Sequence, residues 1–246
     1  MRTPNSRRVS EESVIPTGTW GSAATRTLPV MFGYLPLGAA FGILAIEIGV
    51  PWWGALLMSL LIYAGAGQFL AVALMAAGAG LLEVAVATLM LNSRHVFYGL
   101  SLLKRFQGAG KGKPYLIFAL TDETYSLLTS QPAEERHDHS MALRISALNH
   151  LWWILGSLGG AMLSTAIDFD SRGIEFALTA LFIVLTLEQA RRLRQGLPFI
   201  IALFAGFGAL LLVPDQHMLL AAIGATCLIL LLHYRWSKSD ARGSSV

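Results

Sequence analysis

Four polar side chains in succession, Asn92, Ser93, Arg94 and His95, sit in the middle of an otherwise apolar run at 80–103. Arg94 offers a planar positive fork that matches a carboxylate and stays charged at any working pH. His95 beside it titrates near neutrality in water and is a candidate proton relay. Asn92 adds an amide that both donates and accepts. Further on, Thr121-Asp122-Glu123-Thr124 interrupts a second apolar stretch. Either carboxylate could hold an ammonium group, or carry a coupling proton if burial raises its pKa. A third polar island, Gly65-Ala66-Gly67-Gln68-Phe69, places two glycines and a glutamine in the middle of residues 55–77.

Each group also has a structural reading. Arg94 could be the ion-pair partner of Asp122 or Glu123, and a pair that opens to admit a substrate carboxylate would act as a gate. His95 could be a packing residue. Asp122 and Glu123 could lie in the membrane interface, simply solvated, and Gln68 could make one buried amide bond at a tight helix crossing. Being adjacent, the two carboxylates point about 100° apart on a helix, so they are not expected to face one cavity together. Asn149 and His150 read as interhelical hydrogen-bonding residues, and Glu47 and Glu83 as solvated groups near segment ends.

The elements that must position these groups are membrane helices. Of 246 residues 54% are hydrophobic and 13% charged, against roughly 25% charged in a soluble domain. Mean hydropathy is +0.58. With about −0.3 to −0.6 kcal/mol for each central Leu, Val or Phe and about +2.5 to +3.5 for an arginine, residues 80–103 insert only marginally alone. Other helices or a water-filled cavity must therefore satisfy Arg94.

Residues 1–27 read as a cytoplasmic tail carrying Arg2, Arg7, Arg8 and Arg26, and 28–235 as a transmembrane domain. The first apolar segment is too long for a signal-peptide core. Within it, Gly38 and Gly42 form a small-xxx-small face for close helix approach, as do Gly156 and Gly160 in the segment at 141–166. The two pairs fall on one another at an offset near 118 residues, a weak internal repeat of the kind secondary transporters use. Gly65 and Gly67 mark an expected helix break, tolerated only where protein or a cavity satisfies the backbone. The basic, glycine-rich 104–113 reads as a flexible cytoplasmic loop, and 115–130 is short for a span. Further segments are expected at 174–190, 199–213 and 218–233, with an acidic loop at 168–173, a basic end at 191–194 and a polar tail at 236–246. The expected architecture is all-α, a polytopic transmembrane bundle with broken or re-entrant helices. Placing the basic stretches in the cytoplasm gives six crossings plus re-entrant segments; counting every segment gives eight.

No hydrolase triad, metal-ligand spacing or phosphate-binding loop appears, so neither an enzyme, a metal nor a cofactor is expected. Cys227 stands alone, which excludes an intrachain disulfide. The basic residues flank hydrophobic segments, a membrane pattern that argues against nucleic acid.

Gly65-Ala66-Gly67-Gln68-Phe69, the run Leu91-Asn92-Ser93-Arg94-His95-Val96-Phe97-Tyr98-Gly99-Leu100-Ser101, and Leu120-Thr121-Asp122-Glu123-Thr124 follow one another in the order and spacing of a known family. The sequence resembles the AzlC-type branched-chain amino acid exporters across about 20–236. The resemblance implies export of valine, leucine, isoleucine or methionine across the bacterial cytoplasmic membrane, together with a small hydrophobic AzlD-type partner. The site residues rest on the cost of polar groups in the membrane: Arg94 for the substrate carboxylate, Asp122 or Glu123 for its ammonium or a coupling proton, Asn92 and Gln68 as further substrate-binding candidates, His95 as a proton relay, and apolar residues of the first two segments for the branched side chain. A passive pore and an assembly subunit are the alternative functions.

Overall fold

In the computed structural model residues 19–132, 135, 137–166 and 196–243 are described, with isolated positions between 179 and 191. Among the described residues all regular structure is helical: α1 (Trp20–Glu47), α2 (Trp52–Leu61), α3 (Gly65–Ala76), α4 (Leu81–Asn92), α5 (Arg94–Leu102), α6 (Lys113–Phe118), α7 (Asp122–Thr129), α8 (His139–Ala166), α9 (Leu197–Leu212) and α10 (Asp215–Gly243). The expected segment at 174–190, the acidic loop at 168–173 and most of the N-terminal tail and the 191–194 cluster lie outside the described residues.

The first helix begins at Trp20, not near residue 28. Thr19 caps it, its side chain accepting from the Ser22 amide at 3.2 Å, which satisfies one of the four amides a helix start leaves unpaired. Arg26, expected in a free tail, is held inside this first stretch by Glu135, with contacts of 2.5 and 3.1 Å. That guanidinium keeps the Glu135 carboxyl below its usual range. At the other end α10 continues past residue 235 to Gly243.

α1 and α8, each of 28 residues, form the most extensive helix contact and the centre of the bundle. Glycine makes it possible. A Cβ on Gly156 would stand 2.7 Å from the Leu35 carbonyl oxygen, and one on Gly38 2.9 Å from the Ser157 amide nitrogen. A Cβ on Gly42 or Gly160 would run into the carbonyl oxygens of Ser157 and Ala39. The two glycine pairs aligned by the sequence offset thus face each other, backbone against backbone. Beside the crossing, Phe41 meets Phe69 edge-on at 5.9 Å and stacks on Trp153 at 6.2 Å.

Around this pair the chain runs in short pieces. α2, α3 and α4 have 10, 12 and 12 residues, about 15 to 18 Å at 1.5 Å per residue, roughly half the hydrocarbon thickness of a bilayer. Among the described residues only Trp20–Glu47 and His217–Arg235 are both long and apolar enough to cross a membrane unaided. The 80–103 segment is divided at Ser93, where backbone bonds close on the third residue instead of the fourth. The 115–130 segment is divided at 119–121, leaving α6 and α7 too short to span.

Two expectations about polar positions change. Residues 104–113 are not a loose loop: Phe106 is fully buried in an apolar cluster with Leu102, Leu116 and Met141. Arg105 donates to the Leu128 carbonyl and to Gln131, and its own carbonyl meets His139 Nε2 at 2.9 Å. Glu83 is not simply solvated. It accepts from the Gly80 amide at 3.1 Å, closing the start of α4, and pairs with His217 at the start of α10.

Candidate functional site

Three helix breaks meet at one cavity. The α2–α3 turn enters it through Tyr63, the one described non-glycine residue at positive φ (+42°), and Ala64. The break therefore falls just before the glycine pair, and Gly65 and Gly67 lie in the first turn of α3. Their role is close approach. A Cβ at Gly65 would stand 3.1 Å from the Trp153 ring, and one at Gly67 2.5 Å from the Asn92 amide nitrogen. With glycine there, the start of α3 seats directly on α8 and α4. No side chain caps this helix start, so its first amides point outward at the positive end of the helix dipole.

Gln68 is fully buried behind this turn. Its Oε1 accepts from the Trp153 indole at 2.9 Å and the Ala64 amide at 3.3 Å, and its Nε2 donates to Ser59 Oγ at 3.3 Å. Ser59 continues to Ser157 at 2.7 Å. Gln68 is thus a tie holding the break in shape, and it does not line the cavity. Asn92 is not at the cavity wall either. Its carbonyl meets His95 Nδ1 at 3.0 Å, while its side-chain oxygen is buried without a partner.

Arg94, His95, Asp122 and Glu123 do line the cavity, which opens to the surface. Arg94, at the start of α5, pairs with Asp122, at the start of α7. Tyr98 donates to the other Asp122 oxygen. The Arg94 Nε is buried with no hydrogen-bond partner among the described residues.

Contrary to the expectation from their spacing, Asp122 and Glu123 both border the same space. The 100° argument applies to a cavity flanking a helix. Here the cavity lies off the helix end, and the side chains of the first two residues both reach it. Thr121 fixes that end, its hydroxyl accepting from the Thr124 amide at 3.2 Å.

Glu123 forms no ion pair among the described residues. It accepts from Tyr34 of α1 at 2.6 Å, and Tyr34 lies 2.7 Å from Thr121 Oγ1. Thr121 and Thr124 hydroxyls are 3.1 Å apart, and Asn149 of α8 donates to Thr124 at 3.0 Å. His150, next to Asn149, bridges the Ser59 carbonyl at 3.1 Å and the Tyr115 hydroxyl at 3.2 Å and stacks on Tyr63 at 4.2 Å. Both are interhelical bonds, as their positions within a long helix imply. The apolar wall is Leu37, Phe69 and Trp153.

Sequence reasoning did not find Tyr34, Tyr63 or Trp153 as site residues, because aromatic side chains in apolar runs read as packing. The capping role of Thr121 was missed as well, although a threonine followed by two acids is the pattern of a helix N-terminus. Among the described residues no group of three or more His, Cys, Asp and Glu is placed to hold a metal ion.

Comparison with known proteins bears on the same stretch. A family model described as AzlC protein matches residues 29–167. A Helicobacter pylori chain named only as an uncharacterized membrane protein is 39% identical over 211 residues, 85% of this chain and 92% of its own. The branched-chain amino acid transport protein AzlC of Bacillus subtilis is 32% identical over 204 residues, 82% of this chain and 80% of its own. The inner membrane protein YgaZ of Escherichia coli is 31% identical over 228 residues, 89% of this chain and 93% of its own. No solved structure matches. On the extent of these matches the chain belongs to the AzlC family, a family of membrane transport proteins.

Proposed function

We propose that this protein is a proton-coupled secondary exporter of valine, leucine, isoleucine, methionine and similar neutral amino acids, and not an enzyme. It works in a bacterial cytoplasmic membrane, with both tails in the cytoplasm, as the large subunit beside a small hydrophobic AzlD-type partner. The supporting observation is the composition of the cavity wall: a guanidinium, a carboxylate with no cationic partner among the described residues, and an apolar face. A branched-chain amino acid presents the complement, a carboxylate, an ammonium and a hydrocarbon side chain. Its carboxylate is seated between Arg94 and the uncapped start of α3, its ammonium at Glu123, and its side chain against Leu37, Phe69 and Trp153. Pairing both charges is what makes a zwitterion tolerable away from water. The name of the Bacillus subtilis relative supports the same substrate class. A partner is in keeping with the apolar side chains left exposed on α4 and α5, among them Leu82, Leu89, Phe97 and Leu100, although lipid covers such faces equally well.

The test is valine efflux from cells lacking other exporters. Arg94→Gln keeps a hydrogen-bonding side chain without the charge, and efflux is expected to fall by about tenfold or more, the effect of losing roughly 1.4 kcal/mol or more of charge-assisted binding. Wild-type efflux from a normally inserted variant would exclude a substrate role for Arg94.

A further inference from the structure

Of the three charges that line the cavity, two neutralise each other. Asp122 is committed to Arg94 and Tyr98. What remains is the negative charge of Glu123, which faces Tyr34 from α1, Tyr63 from the α2–α3 turn, Arg94 and His95 from α5, and its neighbour Asp122 on α7. From α8 come Trp153 and, behind Tyr63, His150. Among the described residues none of these forms an ion pair with it. A carboxylate in that position must be matched by a cation from outside the protein or take up a proton.

The surrounding hydrogen bonds accommodate both forms. With Glu123 ionised, the hydroxyl hydrogens can all be turned toward it, Asn149 Nδ2 to Thr124, Thr124 to Thr121, Thr121 to Tyr34 and Tyr34 to Glu123, along contacts of 3.0, 3.1, 2.7 and 2.6 Å. Hydroxyl hydrogens rotate, so the chain can reverse. With Glu123 protonated, its hydrogen goes to the Tyr34 oxygen, Tyr34 turns to Thr121, Thr121 to Thr124, and Thr124 needs an acceptor at Asn149. The Asn149 side-chain oxygen is buried and has no partner. Turning the amide over presents it to Thr124, and either orientation leaves one side of the amide unpaired. The two protonation states therefore have equally complete hydrogen bonding, a condition for a group that must exchange its proton in every cycle.

We infer that Glu123 is a shared site at which the substrate ammonium and the coupling proton exclude one another. Binding an amino acid to the protonated protein forms a carboxylate–ammonium pair and releases the carboxyl proton to water. Protonation from the other side of the membrane expels the substrate. Alternation of the two on one carboxylate couples inward proton flow to outward transport without a second titrating site. Tyr34, Thr121, Thr124 and Asn149 are positioning residues that keep both states of Glu123 satisfied. This rests on the reading of the cavity as an amino acid site.

The protein, in the complex in which it purifies from membranes, is placed in lipid nanodiscs and titrated with L-leucine at about pH 5, 6.5 and 8. Calorimetry in two buffers of different ionisation enthalpy counts the protons released. On the acid side of the Glu123 titration, Kd is expected to rise about tenfold per pH unit and each leucine to release close to one proton; on the alkaline side both effects vanish. Glu123→Gln should bind weakly with no proton release, and Asp122→Asn should keep the release. Tyr34→Phe removes the donor to ionised Glu123 and should move the break in the profile to higher pH. A pH-independent Kd with no proton release in the wild-type protein overturns the inference, as does release that persists in Glu123→Gln. Absence of leucine binding at every pH overturns the amino acid reading itself, and this inference with it.

Discussion

Gln68 and Glu123 are both polar residues inside the bundle, and the difference between them is completeness. Every polar atom of the Gln68 amide has a partner within the protein, while Glu123 has one hydroxyl donor and, among the described residues, no cation. Gln68→Leu should leave the Ala64 amide and the Trp153 indole without an acceptor and lower stability by about 2–3 kcal/mol. Thermal unfolding in detergent would read that loss, and the KM for exported amino acid should stay at its wild-type value. A raised KM at unchanged stability would instead place Gln68 in contact with substrate. From sequence the two residues looked equivalent, each a polar group at the wrong depth in an apolar segment. The membrane-cost argument detects that such a residue has a partner, and it correctly demanded one for Arg94. Identifying that partner takes geometry: the sequence left Asp122 and Glu123 equal candidates, and only the placement of α5 against α7 separates them.

At the scale of helices, small residues decide what touches what. Gly160→Ala or Gly42→Ala would push a methyl group into a carbonyl oxygen of the opposite helix. Either should destabilise the protein by about 1–3 kcal/mol, the usual range for overpacking. Gly159, next in sequence to Gly160, has open space where a methyl group would go, and Gly159→Ala should be neutral or stabilising by up to ~1 kcal/mol from helix propensity. Melting temperatures of the three variants, side by side, check the crossing. Both glycine faces were legible because a four-residue spacing of small residues has one dominant use in a membrane. The helix breaks were legible only approximately. Gly65 and Gly67 announce irregular backbone, yet the residue that takes the left-handed conformation is Tyr63, a bulky side chain that no propensity would select there. It is held by the ring stack with His150 and by the Gln68 tie across the turn, contacts between segments far apart in the chain.

Among the described residues, the division of labour at the cavity is between the long α1–α8 pair and the short helices α2 to α7 beside it. The six-crossing arrangement proposed from charge bias puts 104–113 in the cytoplasm. A cysteine at exposed Lys111, in a Cys227→Ser background, should be blocked by a membrane-permeant thiol reagent and spared by an impermeant one added outside intact cells. Labelling from outside would favour eight crossings. Hydrophobic segments and their flanking charges were readable in the sequence at this scale, and so was the all-α class. The packing of 104–113 was not, since Phe106 buried among Leu102, Leu116 and Met141 brings together residues that the linear pattern keeps apart. The α1–α8 crossing has a mechanical consequence. Where the two glycine pairs meet, the contact is backbone against backbone, with Tyr34 and Phe41 packed on Trp153 beside it, so neither helix has room to slide past the other. If the cavity carries substrate as proposed above, the short helices α3, α5 and α7, broken off at 62–64, 93 and 119–121, are the pieces that would move without displacing that pair.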